Sequence, residues 1–276
     1  LVYSRDINLQ VNKAPTAINI AGSLVVNDGV SLPVNLGTIT INDDNLGTNV
    51  LSISGSDKRF FSISNNGLKF NATAQDLTNQ STFSFTLTST DGGLVFNQNF
   101  SLKINKAPTD ITLSSNTINE NISVSGNGVL VGTLSVVDDG LGTNTLSLTG
   151  DDAASFALSG NNLMFIGASP DYETKSRYSI TVKSTDTNLS LNRLFDINVT
   201  NINEAPSGIV LSSALLPQGV SVGSGLTVGS IQVTDDGLGN NTLSLVPGGD
   251  ASMFAISGTT LVYKGSTPNF SNKPVY

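Results

Sequence analysis

The chain contains no cysteine, no histidine and no tryptophan. Without cysteine there is no disulfide, no thiolate metal site and no thiol nucleophile. Without histidine the commonest general base and the commonest transition-metal ligand are both missing. Basic residues are scarce too: 13 Lys and Arg stand against 21 Asp and Glu, a net charge of −8 over 276 residues. That balance argues against nucleic acid or an anionic membrane surface as a partner. No run of about 18 apolar residues occurs, so no membrane insertion is expected. Neither a glycine-rich phosphate loop nor a metalloprotease motif is present, and the chain is not expected to be an enzyme. It opens on Leu1 without a basic-then-apolar leader, and reads as a piece of something longer or a processed product.

What the sequence does have is repetition. Asp-Asp pairs open three nearly identical phrases, DDNLGTNVLSI at Asp43, DDGLGTNTLSL at Asp138 and DDGLGNNTLSL at Asp235, spaced 95 and 97 residues apart. Ala-Pro recurs at Ala14, Ala107 and Ala205, spaced 93 and 98 apart. Two markers on one period predict tandem units over 13–105, 106–203 and 204–276. LVYSRDINLQVNKAP at the start matches LVFNQNFSLKINKAP from Leu94, so residues 1–12 are expected to be the last strand of a preceding repeat. GSTPNFSNKPVY from Gly265 matches GASPDYETKSRY from Gly167, and the third repeat therefore lacks its final strands.

Within a unit the apolar residues alternate. Tyr178, Ile180 and Val182 interleave with Ser, Thr and Lys, and Phe195, Ile197 and Val199 interleave with Asp and Asn. Period two, short runs and Gly/Asn/Asp turns mean half-buried strands. About seven fit one period, which suits an all-β, two-sheet sandwich with a single core. One short helical turn is expected, at GDDAASF, with Asp152 as its cap and Asp57 and Asp250 in matching positions.

In the second unit five motifs follow in order: NEN (Asn119–Asn121), DDGLGTN (Asp138–Asn144), DYE (Asp171–Glu173), STD (Ser184–Asp186) and NINEAP (Asn201–Pro206). This order resembles the XEX, DXD, DRE, XDX and DXNDNAP motifs of cadherin-like tandem repeats in bacterial secreted and surface proteins. The resemblance implies seven-strand Greek-key sandwiches, cadherin-like or Ig-like, set end to end, with Ca²⁺ at the junctions between repeats. For the junction between repeats two and three it implies Glu120, Asp171, Glu173, Asn201, Asn203, Glu204, Asp235, Asp236 and Asn241 as ligands. Between repeats one and two it implies a weaker set, Asp28, Asp76, Asp138, Asp139, Asn144 and Asp186, with Thr78 where the second acid of DYE stands. At the first junction it implies Asp43, Asp44 and Asp91. Lys106 and Lys13 occupy the place of Glu204. Each is read either as a fixed positive charge replacing an ion or as a solvated surface lysine. In the third repeat Gln218, Asn269 and Ser271 replace Glu, Asp and Glu.

Elementary ligand chemistry agrees with calcium, which takes 6–8 oxygen donors and tolerates irregular geometry. The chain offers carboxylate and amide oxygens and none of the softer donors. The rival for each Asp-Asp pair is an Asx-turn, in which the oxygens accept local N–H bonds. Asp171 and Glu173 are a carboxylate pair of the kind glycosidases use, yet they belong to a repeated end-of-unit pattern. The function expected is an extracellular, cell-surface or secreted array acting as stalk, spacer or adhesion segment. Its partners are neighbouring repeats of the same chain or identical subunits, with a surface glycan or protein as a further ligand. The alternative is a subunit of a polymeric fibre or surface layer joined by strand exchange.

Overall fold

Alternation becomes paired strand from residue 17 to residue 263 in a computed structural model whose described residues are 2–276. Two compact units divide the chain: Leu1–Asn116 with Val124–Ala168 and Ser179–Ile197, and Thr117–Ser123 with Ser169–Tyr178 and Asn198–Tyr276.

The first unit begins with β1 (Ala17–Ala21), β2 (Val25–Asn27), β3 (Val34–Asn42), β4 (Asn49–Ser54), β5 (Phe61–Ser64), β6 (Gly67–Phe70), β7 (Thr82–Asp91) and β8 (Leu94–Asn105). They form two four-stranded sheets, ordered β1-β3-β6-β5 and β2-β8-β7-β4. Eight segments make a seven-strand sandwich because the first strand is broken. Its front half pairs antiparallel with β3 and its back half parallel with β8. A bulge in β3 at Gly37 accompanies the break. A Cβ there would lie 2.4 Å from the Ala21 carbonyl oxygen, so only glycine fits.

Between the sheets lies one core, with Phe70, Phe83, Leu68, Leu87 and Leu102 fully buried. Phe83 packs edge-on against Phe60 and Phe70, at centroid distances of 5.1 and 4.9 Å, a geometry that aromatic quadrupoles favour. Along β7 the buried face reads Phe83, Phe85, Leu87, Ser89, Asp91. The pleat that builds the core therefore carries a serine and a carboxylate onto the same face at the strand's end.

The rest of the first unit holds β9 (Asp110–Leu113), β11 (Val129–Val137), β13 (Phe156–Ser159) and β14 (Asn162–Phe165), ordered β13-β14-β11-β9. In it β12 (Asn144–Thr149) also pairs with β15 (Arg177–Asp186), from Asn144 opposite Asp186 to Thr149 opposite Thr181. In the second unit β10 (Thr117–Asn119) runs parallel to the end of β16 (Leu189–Thr200). There too, β17 (Gly208–Leu211), β18 (Leu226–Thr234), β19 (Phe254–Ser257) and β20 (Thr260–Tyr263) form a sheet ordered β17-β18-β20-β19. Residues 241–246, which align with β12, form no strand. The strand they would bond to has no counterpart among the described residues.

Three expectations are corrected. Residues 2–12 form no strand: Val2, Tyr3, Ile7, Leu9 and Val11 are strongly exposed, and no described strand pairs with the segment, which is tied down by the side chain of Asn12. Leu1 lies outside the described residues. A helix, α1 (Ala74–Asn79), stands where none was expected, started by a capping box between Thr73 and Asp76. The turns at Lys58–Phe60, Ala153–Ser155 and Ala251–Met253 are 3-10 helices without side-chain caps. Asp152 instead accepts the Ser179 N–H at 2.7 Å and Asp57 the Ser84 N–H at 2.8 Å, tying each turn to the opposite sheet. Asp250 pairs with the Lys273 ammonium. Among the described residues no helix is long and apolar enough to cross a membrane.

Because Phe70 is fully buried and touches three other aromatic rings, Phe70→Ala is expected to cost about 3–5 kcal/mol. Urea denaturation checks this, and a loss under about 1 kcal/mol would mean the core is not assembled as described.

Candidate metal centre

The Asp-Asp pairs resolve into two different jobs. The second aspartate of each pair commits both oxygens to backbone. Asp44 Oδ1 accepts the Leu46 N–H and Oδ2 the Lys13 N–H, at 2.9 and 3.0 Å. Asp139 does the same with Leu141 and Lys106, at 2.8 and 2.9 Å. Asp236 repeats it with Leu238 and Glu204, both at 2.9 Å. These three are Asx-turns that also hold the linker chain.

The first aspartate of each pair keeps one oxygen free. Asp43 Oδ2 accepts from Asn49 Nδ2 at 2.6 Å, Asp138 Oδ2 from Asn144 at 2.6 Å, and Asp235 Oδ2 from Asn241 at 2.7 Å. In all three the Oδ1 atom is buried and has no hydrogen-bond partner.

Beside two of these loops lie wholly buried carboxylates. Asp91 Oδ2 accepts from Asn12 Nδ2 at 2.7 Å, while its Oδ1 is unpartnered. Asp186 accepts from the Thr143 N–H at 2.7 Å and from Asn105 Nδ2 at 2.6 Å. Asn105 is itself buried, donates also to Asn27 Oδ1 at 3.1 Å, and leaves its own Oδ1 unpartnered. Gly142 makes room: a Cβ there would sit 1.9 Å from Asp186 Oδ1.

In the second unit Glu120, Asp171 and Glu173 each place a carboxylate oxygen within 4.8 Å of the others. Glu120 follows β10 and is buried; Oε2 accepts the Tyr172 N–H at 2.8 Å and Oε1 the Ile202 N–H. Asp171 closes a turn by accepting the Thr174 N–H and hydroxyl, both at 2.9 Å. The amide bond and then the hydroxyl hold the Asp171 carboxyl below the usual carboxylate range. Asn201 Nδ2 reaches Glu173 at 3.2 Å and its Oδ1 is buried and unpartnered. Glu204 accepts from the Asn121 side chain. Asn203 lies against Gly239. No other group of three acidic residues comes this close among the described residues, so Glu204, Asp235 and Asp236 stand outside the cluster.

The remaining expected ligands are engaged locally. Asp28 Oδ1 accepts the Gly29 N–H at 2.9 Å. Asp76 serves the capping box, and the Thr73 hydroxyl followed by the Thr73 N–H lower its pKa. Lys106 meets Asp139 through its backbone N–H, and among the described residues its ammonium forms no ion pair with Asp138, Asp139 or Asp186. Lys13 behaves likewise toward Asp44.

Seven buried side-chain nitrogen or oxygen atoms lack a partner among the described residues, and all seven are oxygens: those of Asn12, Asp43, Asp91, Asn105, Asp138, Asn201 and Asp235. Buried polar atoms are normally satisfied, so a set made only of acceptors, four of the seven on carboxylates, fits a hard oxygen-seeking cation such as calcium. Asn12 and Asn105 were not among the expected ligands. Aligning NKAP, NKAP and NEAP on their Ala-Pro places both opposite Asn203 and is the signal that finds them.

No protein-family model matches the chain, and no curated protein does. Solved structures do match. Extracellular cadherin domains 3–6 of protocadherin gamma B2 align with a TM-score of 0.50 at 15% identity, over 90% of this chain and 64% of that one. A protocadherin gammaB7 EC3-6 cis-dimer structure aligns at 0.49 and 15%, over 95% and 67%. Mouse protocadherin-24 EC1-3 aligns at 0.48 and 15%, over 98% and 89%. The fold is cadherin-like.

Two outcomes follow from this geometry. Gly140 and Gly142 both have positive φ, but a Cβ at Gly140 meets nothing. Gly140→Ala is expected to cost about 1 kcal/mol and Gly142→Ala distinctly more, by thermal denaturation; equal losses would refute the close packing of Asp186. With its folded pKa lowered, Asp171 contributes stability fully above its unfolded value of about 3.9, lost as pH falls through the folded value. The Thr174 amide resonance, followed by NMR, should therefore titrate with a midpoint below about 3.9.

Proposed function

We propose that this chain is a segment of an extracellular array of cadherin-like repeats whose junctions are stiffened by calcium, serving as stalk, spacer or cell-surface adhesion segment. The observation that supports it most is the set of seven buried, unpartnered oxygens on motif residues. Carboxylates withdrawn from water are costly unless paired, and no lysine or arginine pairs with Asp43, Asp91, Asp138, Asp186 or Asp235 among the described residues. A divalent cation would supply the missing partner at each place.

On this reading Asp91 with Asn12, and Asp186 with Asn105, are the inner donors of the first two sites, and Asp43 and Asp138 lend their free oxygens. Glu120, Asp171 and Glu173 form the richer site, with Asn201 as a neutral donor. Linker residues and sandwich residues share an ion, so the angle between repeats is fixed when it is bound and loosened when it leaves. Extracellular modules bind calcium at about 10⁻⁴–10⁻³ M, which suits a location outside the cell. The proposed domain spans are those of the sequence repeats, 13–105, 106–203 and 204–276.

A second reading is favoured by the exposed apolar side chains of residues 2–12, whose sequence matches β8. A strand of this kind would pair with another copy in a fibre or surface layer.

Isothermal titration should show calcium binding in the sub-millimolar range, and small-angle scattering should show a shorter, broader distance distribution after EDTA. Absence of calcium binding, or identical scattering with and without chelator, would sink the first reading. Calcium-independent oligomers abolished by deleting residues 2–12 would favour the second.

A further inference from the structure

The first aspartate of each Asp-Asp pair is held by a relay rather than by a single bond. In the first repeat Ser89 Oγ donates to Asn49 Oδ1 at 2.6 Å, and Asn49 Nδ2 donates to Asp43 Oδ2 at 2.6 Å. In the second, Ser184 Oγ donates to Asn144 Oδ1 at 2.8 Å, and Asn144 Nδ2 donates to Asp138 Oδ2 at 2.6 Å. Both serines are completely buried. Both relays end on aspartate Oδ2, and the second oxygen of the same carboxylate, Oδ1, is buried and unpartnered.

We propose that Ser89 and Ser184 are positioning residues for the cation sites, orienting Asp43 and Asp138 through Asn49 and Asn144. This rests on the calcium reading above. A primary amide has one donating and one accepting edge of nearly the same shape. Facing a carboxylate, only the NH₂ edge attracts; the carbonyl edge repels. An amide free to turn about its last torsion samples both and lets the carboxylate swing. The serine hydroxyl gives the carbonyl edge a donor on the side away from the aspartate, so the amide has one satisfied orientation. The aspartate is then anchored by Oδ2, and Oδ1 keeps one direction.

Strand register makes the relay possible. Asn49 lies directly opposite Asp91 and Leu51 opposite Ser89, and Asn144 and Leu146 stand in the same way to Asp186 and Ser184. Serine and aspartate two apart on one strand share the buried face. One strand thus delivers both a buried carboxylate and the hydroxyl that orients a second one. The third repeat supplies an internal comparison. Asn241 donates to Asp235 at 2.7 Å, but Asn241 is exposed and no serine stands behind it among the described residues.

The test is equilibrium dialysis of the whole chain against radioactive calcium, with a melting curve in EDTA for each variant. In Ser89→Ala/Ser184→Ala the sites bearing Asp43 and Asp138 should weaken about tenfold, as loss of an orienting partner does, while the site bearing Glu120 keeps its affinity. Asn49→Ala/Asn144→Ala should weaken the same sites, and adding the serine changes to it should weaken them no further, since both act along one path. A lower EDTA melting temperature with unchanged calcium affinity overturns the proposal and leaves the serines as structural ties. Additive losses overturn it as well. If the unaltered chain binds no calcium, the calcium reading itself fails, an outcome distinct from normal binding by the variants.

Discussion

Buried carboxylates without a basic partner are the constraint on which the ends of these sandwiches depend. Asp91 and Asp186 are placed out of water by the same alternation that buries Phe83, Phe85 and Leu87, or Ile180 and Val182. The register leaves them no choice: a one-residue slip that freed the carboxylate would expose the whole apolar set. Core formation therefore compels charge burial, and the local structure is organised to offset it. Asn12 and Asn105 reach back from the linkers, and Gly47 and Gly142 give the carboxylates space that any side chain would fill.

The paired aspartates then divide the work by position. Asp44, Asp139 and Asp236 accept only backbone N–H groups, one within the loop and one from the linker. They set where the linker enters, whether or not an ion is present. Asp43, Asp138 and Asp235 leave one oxygen for something else. Two adjacent carboxylates thus behave differently because the second meets two backbone N–H groups and the first a single asparagine side chain. The repeat ends are also unequal. Glu120, Asp171 and Glu173 converge, whereas in the first repeat Asp28 turns to its own loop and Asp76 to a helix cap. The carboxylates therefore gather at one repeat end and disperse at the other.

The repeat period, the strands and the residues crowding the ends were legible because each rests on a local pattern: Asp-Asp and Ala-Pro markers, alternation, and acids in a fixed order. Other features were hidden for physical reasons. Helix α1 follows from a threonine and an aspartate three apart, a signal that the reading of Asp76 as a ligand obscured. The strand expected over 1–12 depends on neighbours, and pattern alone cannot supply a hydrogen-bond partner. The Asx-turn and free-oxygen roles of each Asp pair share one spelling and separate only in three dimensions. Asn12 and Asn105 carry no charge and stand next to lysines, so nothing local marks them, although a buried amide carbonyl is also an oxygen donor for calcium.

Lys13 and Lys106 sit beside Asp-Asp loops, where an ammonium would be the simplest way to neutralise a carboxylate. The fold uses their backbone N–H groups, and among the described residues neither ammonium pairs with these carboxylates. A lysine bonded to Asp91 or Asp186 would fix the linker permanently, at every ionic composition. An exchangeable ion does the same only while its concentration stays high. On the calcium reading, leaving these oxygens without an ammonium makes stiffness a property of the surrounding fluid: slack where calcium is scarce, and rigid where calcium is abundant.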